Sequence, residues 1–143
     1  MKLPRIFAIP TLLLAGCTFY GPQSATPVKM YEGPEKAANQ VASVLTFDFL
    51  KKRENQLETA WKSNVVEVDG RPVPGGKYDN QKVLLEPGVH FLTVTCSSGY
   101  RPNTHTRKFR LELKANQLYV PSAQLEYGTR ECTPDVVLMH MRS

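Results

Sequence analysis

His105-Thr106-Arg107-Lys108-Phe109-Arg110-Leu111-Glu112-Leu113-Lys114 is the stretch that decides the fold. Phe109, Leu111 and Leu113 alternate with Lys108, Arg110, Glu112 and Lys114. Successive side chains of a strand point to opposite faces, so this period of two gives one buried and one wet face, the pattern of antiparallel sheet. The same chemistry continues outward in both directions. Val89 to Cys96 is a run of branched, aromatic and threonine residues, separated from the first stretch by a turn region, Ser97 to Asn103. Leu118 to Tyr127 reads as a further strand, with Pro121 placing it at an edge or in a bulge. Val136 to Met141 closes the series.

Upstream, Val65-Val66-Glu67-Val68 runs into Asp69-Gly70, a dipeptide suited to tight hairpin turns that need positive φ. Arg71-Pro72-Val73 fits a short edge strand before the Pro74-Gly75-Gly76 loop. Lys82-Val83-Leu84-Leu85 meets Glu86-Pro87-Gly88, where Pro followed by Gly suits a type II turn. About seven short strands with frequent turns predict a mainly β domain, a small antiparallel β-sandwich or open barrel. Before Asn64 the pattern changes. Ala37, Ala38, Val41 and Leu45 predict a short helix over Glu35 to Val44, and Val44-Leu45-Thr46-Phe47 reads as a strand start. Leu50, Leu57 and Trp61 have helical spacing, so Asp48 to Trp61 reads as helix or long loop. The expected fold therefore carries one or two short N-terminal helices.

The first residues bear on location. Met1-Lys2-Leu3-Pro4-Arg5 is a basic head, followed by the apolar run Ile6 to Leu14, interrupted only by Pro10 and Thr11. That run has the length of a secretory leader and is too short to span a bilayer, which takes about 20 apolar residues. It ends in Leu14-Ala15-Gly16-Cys17, which resembles the lipobox of bacterial lipoproteins. The resemblance implies cleavage of residues 1–16 as a signal peptide and lipidation of Cys17, whose thiol takes the diacylglycerol. Small residues at 15 and 16 let the peptidase reach the bond. In a Gram-negative cell, Asp after the cysteine would imply inner-membrane retention; Thr18 implies the outer membrane, facing the periplasm. Residues 17–34 hold Gly21, Pro22, Ser24, Pro27, Gly33 and Pro34 and read as the lipidated cysteine plus a flexible tether. Residues 35–143 then form a single β-rich periplasmic domain.

Loss of Lys2 and Arg5 with the leader lowers the formal charge of +5 by two. A small surplus on a mixed surface is not the clustered footprint of a nucleic-acid binder. Lys51-Lys52-Arg53 reads as a solvated face, with contact to anionic lipid or cell-wall polymer as the other reading. With Cys17 on lipid, Cys96 and Cys132 are an even pair in an oxidising compartment and predict a disulfide. In the chain-entropy description such a loop is worth roughly 4 kcal/mol.

Val65 to Leu125 resembles a PEGA-type module, a small β-sandwich-like unit of bacterial envelope proteins. The residues that carry the likeness are Val68-Asp69-Gly70, Leu85-Glu86-Pro87-Gly88-Val89-His90, Gly99-Tyr100 and Phe109-Arg110-Leu111-Glu112-Leu113. With the lipobox and Tyr31-Glu32-Gly33-Pro34, the whole is similar to small proteobacterial lipoproteins. The resemblance implies association with the cell surface or wall and brings no catalytic residues.

The residues themselves offer little chemistry. His90, His105 and His140 have no His, Cys or carboxylate at ligand spacing, so no metal is expected. Ser97-Ser98-Gly99 lacks the strand-to-helix elbow of a serine nucleophile. Asp69, Asp79, Glu86 and Asp135 fall where carboxylates bond turn backbone. Trp61, Tyr100, Tyr119 and Tyr127 are core or edge cover, or else a stacking platform for sugar rings. No phosphate-cradling glycine loop is present, and no small-molecule cofactor is expected. The expectation is a non-enzymatic binding or structural module, held to the membrane through its lipid and contacting an envelope protein or peptidoglycan. The alternative is an inhibitor of a cell-wall hydrolase, similar in kind to lysozyme-inhibitor lipoproteins, blocking with Arg71 to Asn80 or Ser97 to Asn103.

Overall fold

The computed structural model describes residues 26–54, 57–74, 81–98, 104–125 and 131–139, with side chains in all of these except 49–60, 98 and 125. Residues 1–16, which the sequence reads as a leader, Cys17, Tyr100, Tyr127 and His140 lie outside them. Among the described residues ten strands run in chain order: β1 Val28–Lys29, β2 Ala42–Leu45, β3 Phe47–Glu54, β4 Leu57–Val68, β5 Arg71–Pro72, β6 Lys82–Leu85, β7 Gly88–Ser98, β8 Thr104–Leu113, β9 Leu118–Leu125 and β10 Cys132–Met139. They form two sheets. One has the order β1-β6-β2-β9-β10 and the other β3-β4-β7-β8, with β5 paired to β4. The second sheet is antiparallel throughout, whereas the first includes parallel β1–β6 and β2–β9 pairs. The sheets face each other as an open sandwich. The first strand already lies within the segment read as a tether, where Val28 and Lys29 pair with Val83 and Leu84.

The N-terminal helices expected from the sequence are not present. Glu35 to Val44 holds only a 3-10 turn, Ala38–Gln40, and passes into β2. A short helix lacks the length to offset its nucleation, while β2 finds strands on both sides and buries Ala42 and Val44. The apparent helical stripe is illusory, since Ala37 and Ala38 are exposed. Asp48 to Glu54 and Leu57 to Trp61 are likewise neither helix nor loop. They belong to the antiparallel pair β3–β4, whose register runs from Phe47 opposite Asn64 to Glu54 opposite Leu57. That register sets Leu50 opposite Trp61, so the spacing that suggested a helical face joins two paired strands.

Thr46 turns the chain from one sheet into the other. Its N–H donates to the Gln81 carbonyl (2.9 Å), its carbonyl accepts from Val65 N–H (2.8 Å) and its hydroxyl accepts from Gln81 N–H (2.9 Å). A buried corner thus keeps its backbone groups bonded, as burial requires. Lys82–Leu85 and the strand after Pro87 are also on opposite sheets, so the turn at Glu86-Pro87-Gly88 is a crossing rather than a hairpin. Asp69-Gly70 is the tight hairpin turn expected, with φ of 52° and 76° at its two residues.

The main core gathers Val44, Val65, Val68, Val83, Leu85, Leu92, Val94 and Leu113 from both sheets, with Phe109, Leu111 and Val136 partly buried against it. A second cluster joins Trp61, Cys96, Ala123 and Cys132. Cys96 on β7 and Cys132 on β10 are disulfide-bonded, with Cα atoms 6.2 Å apart. The bond therefore links the sheets to each other. Beside it, the fully buried Ser63 hydroxyl lies 2.8 Å from the Ser122 carbonyl of the facing sheet. Pro121 is tolerated inside β9 because β2 pairs only with Leu118 and Tyr119, leaving that edge unpaired where Pro121 lacks its donor.

Candidate functional site

Two regions outside the core gather chemistry. The first lies at the Asp69-Gly70 end, where Met30, Tyr31 and Glu32 approach Val68, Asp69, Arg71, Glu86 and His90 around a cleft of about 390 Å³. Asp69 is the hub. Its N–H donates to the Phe91 carbonyl and one carboxylate oxygen accepts from Phe91 N–H, both at 2.8 Å. Its other oxygen is 2.6 Å from His90 Nδ1, while His90 Nε2 is 2.8 Å from the Glu86 carbonyl. Glu86 forms an exposed ion pair with Lys36, whose N–H donates to the Tyr31 hydroxyl (2.9 Å). The Lys29 and Lys36 ammonium groups lie 4.9 and 5.6 Å from the Tyr31 ring centre, within cation–π range.

Partial burial pushes the Asp69 carboxyl up, but the Phe91 N–H, the His90 ring and the Arg71 guanidinium outweigh it and hold it below its ordinary 3.8. The Lys36 ammonium holds the Glu86 carboxyl below its ordinary value as well. His90 faces an acceptor at each nitrogen, so a doubly protonated ring donates twice and a neutral ring once. In neither form does this geometry offer a free lone pair aimed into the cleft for general-base work. The cluster latches the N-terminal segment and two turns together.

The second region is the open side of the sandwich, where β8 edges one sheet and β10 the other. The pairing register fixes which backbone groups point out. Phe91 bonds toward Asp69, so alternate residues of β7 turn to β4 and the even-numbered ones turn to β8. On β8 it follows that Thr104, Thr106, Lys108, Arg110 and Glu112 present N–H and C=O outward. Among the described residues none of these groups pairs with a further strand, and the Glu112 carbonyl lies 3.4 Å from the Tyr119 hydroxyl of β9. The same logic on β10 turns Cys132, Pro134, Val136 and Leu138 outward, because Ser43 N–H bonds the Gln117 carbonyl and so fixes the alternation of β9. There Pro134 has no donor, and Val136 N–H is taken by the Asp135 carboxylate (2.8 Å), which also accepts from Gln124 (2.9 Å). The β10 edge is thus blunted by a proline and a capped N–H, whereas the β8 edge is guarded by its charged side chains alone.

Beneath the β8 edge the sandwich is incompletely covered. Phe109 and Leu111 are half-buried, and Leu138, inward by alternation with Cys132, Pro134 and Val136, is 41 % exposed. Val137 and Met139 are exposed beside it. Arg107 lies over the Phe109 ring at 4.9 Å, and Lys108 lies 5.3 Å from the centre of the Phe91 ring on the outer face.

The sequence-derived candidates distribute as follows. Cys96 and Cys132 meet, while Cys17 is outside the described residues. Trp61 and Tyr119 are core residues at 5 % and 7 % exposure, so neither supplies a face to a sugar-stacking platform. Tyr119 holds the β8–β9 turn, its hydroxyl accepting from Lys114 N–H (3.0 Å) and donating to Gln117 (2.8 Å). Asp135 sits in β10 rather than in a turn. Asp79 falls outside the described residues, as do most of the two loops proposed for blocking. Among the described residues no three His, Cys, Asp or Glu side chains gather as a metal site. The Asp69–His90 contact was not legible, because it joins residues far apart in the chain. The local hint was the four-residue interval from Glu86 to His90 across a Pro-Gly turn. No protein-family model, curated protein or solved structure matches the chain.

Proposed function

We propose that this protein is an envelope lipoprotein, anchored through Cys17 on the periplasmic face of the outer membrane, whose sandwich is a non-enzymatic binding module. The anchor rests on the basic head, the apolar run and Leu14-Ala15-Gly16-Cys17. The binding role rests on one observation above all: from Thr104 to Arg110 the outer edge of β8 pairs with no strand among the described residues and lies beside a half-covered apolar row, while β10 on the same side is blunted by a proline and a capped N–H. Edge strands left unpaired invite pairing with another chain, and proteins commonly disable those they do not use. Anchoring confines the domain to a thin layer and raises its effective concentration toward partners there. The PEGA-type resemblance supports the same reading, since such modules serve at the cell surface or wall.

The test is crosslinking of the tagged, full-length lipoprotein in living cells, followed by mass spectrometry of what co-purifies from the membrane. One abundant envelope protein or peptidoglycan fragment, lost with Cys17→Ala, is expected. Capture that is unchanged in Cys17→Ala, or none at all, contradicts an anchored binding module.

A further inference from the structure

We infer that the partner enters as an extended segment alternating acidic and apolar residues, added as a sixth strand of the sheet along the outer edge of β8; this rests on the binding reading above. The register dictates the alternation. Residues of an added strand opposite Thr106, Lys108 and Arg110 place their side chains on the outer face, among two cations and a hydroxyl. Residues opposite Phe109 and Leu111 place theirs inward, over the half-covered apolar row and toward Leu138. The first set therefore favours Asp or Glu and the second Val, Ile or Leu.

Charge selects against a second copy of this chain. From Arg107 to Lys114 the strand and its end carry Arg107, Lys108, Arg110 and Lys114 against Glu112 alone. Two such edges brought together set cations beside cations, and like charges directly opposite are unfavourable. An acidic strand meets Lys108 and Arg110 on the outer face with attraction. The strand has no proline and no bulge in its pairing with β7, so its outer edge can carry a ladder from Thr104 to Arg110.

The test transplants the guard of β10 onto β8. Lys108 has its N–H outward, so Lys108→Pro removes a donor from the free edge and none from the β7 ladder, as Pro134 does on β10. The probe is a synthetic peptide alternating Glu and Val over about nine residues, roughly the span of β8. Its affinity is measured against the full chain purified in detergent. Lys108→Pro is expected to weaken binding about tenfold while leaving the far-ultraviolet spectrum and thermal midpoint in place. N-methylation of the peptide on its pairing edge, which keeps every charge, is expected to cost about as much. The pair Lys108→Glu with Arg110→Glu is expected to shift preference to a Lys–Val peptide.

Equal binding by the N-methylated peptide means charge attraction alone and overturns strand addition. Binding unaffected by Lys108→Pro in a folded protein does the same. Tighter binding to phosphatidylglycerol vesicles, with peptide unable to compete, assigns the basic strip to lipid and also overturns it. If the peptide fails to bind while in-cell crosslinking still captures an anchored partner, this inference falls and the binding module stands.

Discussion

The Ser63 hydroxyl donates across the sandwich to the main-chain carbonyl of Ser122, 2.8 Å away, with the Thr95 carbonyl at 3.4 Å. It is fully buried and joins β4 to β9 near the disulfide. A polar group in that place is stabilising only because its hydrogen bond is made. Ser63→Ala is expected to lower unfolding free energy by about 1–2 kcal/mol, read from urea denaturation with an unchanged m-value. Ser63→Val is expected to cost more, because the added methyls enter a packed site.

The Cys96–Cys132 bond spans 36 residues and ties the sheets where the second core cluster is small. Cys96→Ala with Cys132→Ala is expected to destabilise the domain by about 3–4 kcal/mol. Comparing denaturation of wild type and the double variant, each with and without reductant, checks this. Reductant is expected to move only the wild type.

Asp69 links the tight turn to His90 and Phe91, and its carboxyl is held below its ordinary value in the fold. Such a group contributes stability that is present above about pH 4 and lost as pH falls through its folded value. Asp69→Asn is expected to be less stable than wild type near neutrality. The gap is expected to narrow steadily below about pH 4, as measured by thermal midpoint against pH. A gap constant with pH would show that the carboxylate charge contributes nothing.

Gly70 sits at φ +76°, and a Cβ there would meet nothing within 4 Å. The cost of a side chain is therefore conformational rather than steric. Gly70→Ala is expected to cost about 1 kcal/mol, with Gly70→Asn recovering most of it, again by urea denaturation.

Alternation made the second half of the fold readable, because its strands have one buried and one wet face. Phe109, Leu111 and Leu113 do turn inward, and Asp69-Gly70 is the expected turn. The first half was misread for a physical reason. Lys51-Lys52-Arg53-Glu54 carries no apolar alternation, and β2 is four residues long, so their state is set by pairing with distant strands. Pairing across a sandwich has no local signature. For the same reason Asp69, Glu86 and His90 were legible one at a time and not as a cluster. The open β8 edge was hidden too, since which strand lies at an edge depends on the sheet order.

The anchor is the claim on which location and binding both depend. The most direct measurement is the mass of the N-terminal proteolytic fragment of the protein isolated from membranes, compared with Cys17→Ala. The account predicts a fragment beginning at Cys17 and carrying acyl chains, and a Cys17→Ala protein without lipid that leaves the membrane fraction. A fragment retaining residues 1–16, or an unmodified Cys17 in membrane-bound protein, would contradict it.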